Sequence, residues 1–342
     1  MLLMDIGTAV ADIREFKIEG GVTVIRMPAE EFNGEYKQTS PFYLLVLWAV
    51  SVWAMVTNLA QIFFIKIFKR WHDSLKKILW KMGRDRNHIS SIFFDRFSRH
   101  NHVIKYAATS WRALDIFYNY HRDIVPQLMR DLEGKLTNHW AAKMENRQAV
   151  TNRFKIVTKL LSNAISRFRQ ENEIRILSIA SGSAQAVIRA MEENPGLNVK
   201  AILLDTDKTA LKEAERMVAE FGLQDNFRFV RGSSAMIEEI CQDFHPHIIE
   251  MVGFLDYLFD DQAVDLIGRI KKILAPNGFF LTCNINKNPE KIFLDWTLLW
   301  PMIYRNEEQF SNVLIHGGFS PENMEIIYEP FFIHGIAVCR NF

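Results

Sequence analysis

An apolar run that stops at a cluster of very small residues, Arg175-Ile-Leu-Ser-Ile-Ala-Ser-Gly-Ser-Ala184, constrains the fold more than any other stretch. A helical pattern follows it, and a second apolar run, Ala201-Ile-Leu-Leu-Asp205, ends on a carboxylate. Small residues let backbone approach a ligand, a helix N-terminus favours polar groups, and a terminal acid takes up ribose hydroxyls. The three together are the layout of a nucleotide-type βαβ site. From here on, strand-like and helix-like stretches alternate regularly. The pattern predicts seven strands, near 175–180, 200–205, 227–231, 247–252, 278–284, 324–328 and 332–340, with helices over 184–193, 208–221, 235–242, 262–274 and 307–316. The fold class is therefore α/β, a Rossmann-like sheet with helices on both faces.

Residues 42–65, Phe42 to Ile65, carry no charge, and about 20 such residues suffice for a helix to cross a hydrocarbon core. The basic residues that follow (Lys66, Lys69, Arg70, Lys76, Lys77, Lys81, Arg84 and Arg86) oppose only Asp73 and Asp85. By the positive-inside rule this flank faces the cytoplasm and suits anionic head groups, leaving the mildly acidic residues 1–40 on the other side. The stretch begins too late, with no basic region before it, for a cleavable signal peptide. Ser51, Thr57, Asn58 and Gln61 support the alternative of a helix buried in a soluble oligomer. The expected organisation is an N-terminal segment 1–41, where Gly20-Gly21 and Val22–Arg26 suggest a hairpin or strand, then a transmembrane or membrane-anchor helix 42–65. A helical region 66–150 and a catalytic domain 151–342 follow. Localisation at the cytoplasmic membrane, with the catalytic domain facing the cytoplasm, follows from the flank.

A formal net charge of +1 gives no field that would gather nucleic acid. Cys241, Cys283 and Cys339 lack metal-ligand or disulfide spacing and suit a reducing compartment. His245-Pro-His247 has no third ligand near it, and the histidines form no HExxH set, so no metal is expected.

The order of elements resembles the class I S-adenosylmethionine-dependent methyltransferases over residues 150–342. Ile176–Ala184 stands at that family's glycine-rich first motif and Leu204-Asp-Thr-Asp at its second. Val230-Arg-Gly-Ser-Ser-Ala235 stands at the adenine-side turn, Ile248–Leu258 at the fourth strand with its pocket loop, and Ile270–Phe280 at the approach to strand five. The resemblance implies S-adenosyl-L-methionine as cofactor. It would be held by Ser178, Ala180, Ser181, Gly182, Ser183, Asp205, Thr206, Gly232, Ser233, Ser234, Val252 and Gly253. The family commonly has an acid where Ser178 stands and glycine at Ala180 and Ala184. Alanine serves there if its φ is negative. Phe293-Leu-Asp-Trp-Thr-Leu-Leu-Trp-Pro-Met-Ile-Tyr-Arg305 is similar to bacterial methyltransferases that form 3-hydroxy fatty-acid methyl esters.

Methyl transfer needs alignment of the nucleophile, exclusion of water and, for a poor nucleophile, a base. Tyr304 and Arg305 are candidates to orient a carboxylate acceptor, with Asp256 and Tyr257 at the mouth of strand four. Asn146, Arg147 and Arg153 are either a solvated helix face or part of a helical cap donating to a carboxylate. The leading expectation is a membrane-associated methyltransferase acting on a lipid-like or small amphiphilic acceptor, O-methylation favoured, with a homo-oligomer open. Two alternatives stand beside it: a soluble small-molecule methyltransferase with a helical cap, and a non-enzymatic binding or scaffold protein on a degenerate methyltransferase fold.

Overall fold

The computed structural model describes residues 14–32, 36–67, 85–108 and 110–342. Strands β3 (Ile174–Ile179), β4 (Val199–Asp205), β5 (Phe227–Arg231), β6 (Ile248–Met251) and β7 (Phe279–Ile285) are parallel neighbours in the order β7-β6-β3-β4-β5. Central parallel strands are covered on both faces, which is why they read as continuous apolar runs. β9 (His334–Arg340) inserts antiparallel between β7 and β8 (Met324–Tyr328). These seven strands fall where the pattern places them.

The sheet nevertheless has nine strands among the described residues, not seven. β1 (Arg14–Lys17) and β2 (Thr23–Arg26) form a hairpin whose turn carries Gly20 and Gly21 at φ +98° and +86°. β2 continues the sheet by pairing parallel with β8, Thr23 opposite Glu325 through Arg26 opposite Tyr328. β1 and β2 are thus an edge of the same sheet, and so do not lie across a bilayer from it as the charge pattern suggested.

By internal contacts the chain forms two units. One comprises the described residues of 1–35, 151–287 and 303–342, the other those of 36–150 and 288–302. In the first, the inner part of α5 (Glu145–Arg167) packs Ile156, Val157, Leu160 and Leu161 on the sheet face bearing Ile176, Ile248, Leu281, Cys283 and Ile336. On the opposite face α8 (Asp260–Ile273) and α9 (Glu307–His316) bring Ile267, Ile270, Phe310 and Leu314 against Leu177, Ile249, Phe280 and Ala337. The helices α6 (Gln185–Glu192) and α7 (Lys208–Glu220) complete the βαβ units; the cap of α7 is Asp207, whose carboxylate accepts the Thr209 amide.

The second unit is helical: α1 (Pro41–Ile67), α2 (Arg99–Ala107), α3 (Trp111–Tyr118) and α4 (Leu132–Ala141). The apolar stretch is one helix, long and apolar enough to cross a membrane. Leu47, Ser51, Ala54, Asn58 and Ile62, spaced by three and four residues, are its buried stripe. Phe94, Trp140 and Phe293 form an edge-to-face cluster with centroids 5.0–5.9 Å apart. A buried ion pair joins Lys105 to Asp95 at 2.9 Å. Glu290, buried, accepts the Glu145 and Asn146 amides at the start of α5, which satisfies donors that the helix itself cannot use. The basic residues between 68 and 84 lie outside the described residues.

Candidate active site at the carboxyl edge of the sheet

β3 ends in a tight loop held by backbone and by one acid. Ser181 donates its amide to Leu204 O at 3.2 Å, and Gly182 donates its own to Asp205 Oδ2 at 2.8 Å. Asp205 Oδ1 accepts the Asp207 amide at 2.8 Å. Each oxygen of Asp205 therefore keeps a free lone-pair direction, as a ribose-binding acid requires. Ala180, Gly182 and Ala184 all have positive φ, at +52°, +55° and +54°. The two alanines thus adopt the left-handed conformation usual for glycine, against the expectation of negative φ, and they store strain at the loop.

The turn expected on the adenine side follows β5. Gly232 donates to Asp205 O at 3.0 Å, and a Cβ there would collide with Met236 Sδ. The Ser233 hydroxyl accepts the Ala235 amide at 3.3 Å, capping a short turn, while the Ser234 carbonyl accepts from Arg269. Thr206 is exposed beside this turn, and its carbonyl accepts from Arg231. Ser183 is buried within the β3 loop. The loop of β6 contributes Val252, whose amide donates to Glu250, and Gly253, at φ +86°, whose amide donates to Cys283 Sγ.

Ser178 is fully buried and donates its hydroxyl to Glu250, the residue opposite it on β6. The carboxylate absent from position 178 is therefore present one strand over. Burial pushes Glu250 up to about 7, against the opposing pull of Ser178, the Val252 amide and Arg153. Sequence reasoning missed Glu250; an acid inside the apolar run Ile248-Ile-Glu-Met251 was the available signal. Arg153, 2 % exposed, is not a solvated residue. Its guanidinium lies 3.5 Å from both Cys283 Sγ and His334 Nδ1. Arginine only donates, so Nδ1 of His334 accepts and the neutral ring carries its proton on Nε2. Burial first, and Arg153 second, keep His334 neutral, its pKa well below the usual histidine value.

Asp256 is buried in the loop after β6. Its Oδ1 accepts the Ile285 amide at 2.7 Å, and burial pushes its carboxyl up to about 6. Tyr257, beside it, is exposed, and Tyr304 is half-buried. Arg305 differs from expectation. Its Nε and Nη2 donate to Asp260 Oδ1, Nη2 also to Leu258 O, and Nη1 to Leu255 O and Asn284 Oδ1. All five N–H donors are spent inside the protein, so Arg305 clamps the β6 loop to β7 and has none left for a substrate carboxylate.

The loop suits a polar cofactor on one further count: Ser181 Oγ is buried and has no hydrogen-bond partner among the described residues, a vacancy that a ligand group at the loop would fill. Sheet order, left-handed small-residue loop and terminal acid together define a class I S-adenosylmethionine-dependent methyltransferase. A family model described as "Putative methyltransferase" matches residues 109–296, more than half of the chain, and the chain belongs to that family. S-adenosylmethionine is its methyl donor. No curated protein matches the sequence. Among solved structures, a "possible exported protein" of Bordetella parapertussis shares the fold at 13% identity and a TM-score of 0.56, over 77% of this chain and 94% of that one. The CMeT domain of the citrinin polyketide synthase is similar at 14% identity and a TM-score of 0.46, over 79% of this chain and 70% of that one. The CurJ carbon methyltransferase stands at 13% and 0.45, over 66% and 69%.

Proposed function

We propose that this chain is an O-methyltransferase that modifies a small amphiphilic or lipid-like acceptor at a membrane surface. The observation that carries the oxygen acceptor is Asp256: a buried carboxyl at the carboxyl edge of β6 and β7, fixed through Oδ1 and poised near pH 6. A base with a pKa near the working pH combines the right protonation state with useful basicity. When bound, S-adenosylmethionine supplies an electrophilic methyl group. Ser181, Gly182 and Asp205 would hold its polar parts, Thr206 and residues 232–234 its base, and Val252 and Gly253 its reacting end. Asp256 takes the proton from an acceptor hydroxyl. Arg153 balances the charge of Asp256 and Glu250. The exposed apolar face of α1 supports a membrane setting and hence an amphiphilic acceptor.

The test is methyl transfer from radiolabelled S-adenosylmethionine to a panel of hydroxy fatty acids and phenols. Label on an acid comes off in mild alkali as an ester's does; label on a hydroxyl survives as an ether. Incorporation into carbon or nitrogen alone would sink the reading.

A further inference from the structure

The two flanks of α1 sit in one sheet. Before α1, β2 is hydrogen-bonded to β8 over four register pairs, and β8 lies among the catalytic strands. After α1, residues 151–287 and 303–342 form the rest of that same unit. A single crossing of a bilayer would put residues 14–32 on one side and β8 on the other, tearing this pairing apart. The sequence directly after α1 is too charged for a return crossing: residues 68–86 hold seven basic residues against two acids.

Within its own unit α1 is docked along most of its length. Tyr43 donates its hydroxyl to Trp140 O at 2.7 Å, Ser51 meets Thr297 at 3.3 Å, Trp53 donates its indole N–H to Ile89 O at 2.9 Å, and Gln61 meets His88 at 2.7 Å. These ties run from residue 43 to residue 61, roughly 27 Å of helix, close to the thickness of a hydrocarbon core. A helix tied at mid-length to the backbone of Ile89 and to a hydroxyl is not surrounded by lipid. Its other face is exposed, with Phe42, Leu45, Trp48, Val56 and Leu59 on it.

We infer that α1 lies along the surface of an anionic membrane, one face on the protein and the other in the lipid, with both flanks on the same side. This rests on the membrane association proposed above and specifies its geometry. An in-plane helix buries one apolar face at the boundary between head groups and acyl chains. Trp48 suits that depth, and the basic flank supplies the complement to anionic head groups.

The experiment uses the full chain in inverted membrane vesicles with a membrane-impermeant maleimide. The native cysteines are all buried, so introduced ones report alone. Gln38→Cys and Glu322→Cys should both label from the cytoplasmic side. Leu45→Cys and Val56→Cys should label at least tenfold more slowly until detergent is added. Flotation should be strong with vesicles of phosphatidylglycerol and phosphatidylcholine and at least tenfold weaker with phosphatidylcholine alone. Labelling of Gln38→Cys from the opposite side only would overturn the inference while leaving membrane association intact. A monodisperse soluble oligomer, with Leu45→Cys and Val56→Cys protected by a second copy, would overturn both.

Discussion

Ser178 and Glu250 face each other across β3 and β6, and the serine hydroxyl donates to the buried carboxylate. The carboxylate is held at the root of the small-residue loop after β3, proposed above to receive the cofactor, in a setting that raises its pKa from 4.5 to about 7. Its titration should therefore be visible in both stability and binding. The charged form is disfavoured by burial, so the stabilising contribution is complete below about 4.5, the unfolded value, and is lost as pH rises through about 7. Relative to Glu250→Gln, the wild type should lose about 3 kcal/mol across that window. Denaturant titrations of the two proteins at pH 5 and pH 8 measure the difference. Parallel pH profiles would show that Glu250 does not titrate as a buried acid.

Asp205→Ala should keep the fold and weaken binding of S-adenosylhomocysteine. The variant loses the acceptor for Gly182 and the charge proposed to meet the ribose, a loss of about 1.5–3 kcal/mol, or roughly tenfold to more than a hundredfold in affinity. Calorimetric titration reads this directly, and unchanged affinity would remove the loop-and-acid account of the site.

Activity should rise with pH through about 6 as Asp256 loses its proton. In Asp256→Asn that acidic limb should vanish, with kcat lowered on the order of 10²–10⁴-fold for a hydroxyl acceptor. Binding of S-adenosylhomocysteine should hold. An intact limb in the variant would assign the base elsewhere.

Arg305→Lys replaces five donors in a fixed fork by a single ammonium. Because the guanidinium ties Leu255, Leu258 and Asp260 to Asn284, the change should cost about 2–4 kcal/mol of stability. Affinity for cofactor in the folded fraction should change by no more than roughly twofold. A stable variant with lost acceptor binding would restore Arg305 to a substrate role.

Ala180→Gly relieves a left-handed alanine. The conformation costs about 1–2 kcal/mol, and glycine's extra chain entropy returns about half of that, so a gain near 0.5–1 kcal/mol is expected. The denaturant midpoint measures it, and a lower midpoint would show that the loop is not strained at this residue.

The βαβ core was legible because parallel strands must be apolar throughout and because the loop after β3 and the acid after β4 are local features. What escaped is non-local. β1 and β2 are short, and their place is set by β8, about three hundred residues away, which no nearby pattern signals. Arg153 reads as a solvated position on an amphipathic helix; only its placement against Cys283 and His334 makes it a buried cation. Arg305 looked free for a ligand because its partners Leu255, Leu258 and Asn284 contribute backbone oxygens or lie far away in sequence. The left-handed φ of Ala180 and Ala184 is likewise invisible in residue type, since alanine ordinarily avoids it.

The pairing of β2 with β8 also fixes an order of events during synthesis. Thr23 leaves the ribosome long before its partner Glu325, and at typical elongation speeds the delay is roughly 15–60 s. Throughout that interval the first hairpin has no neighbour and α1 is already made. The chain therefore closes this edge of the sheet last, so that β8, in joining β2, completes a unit whose first hairpin was made long before.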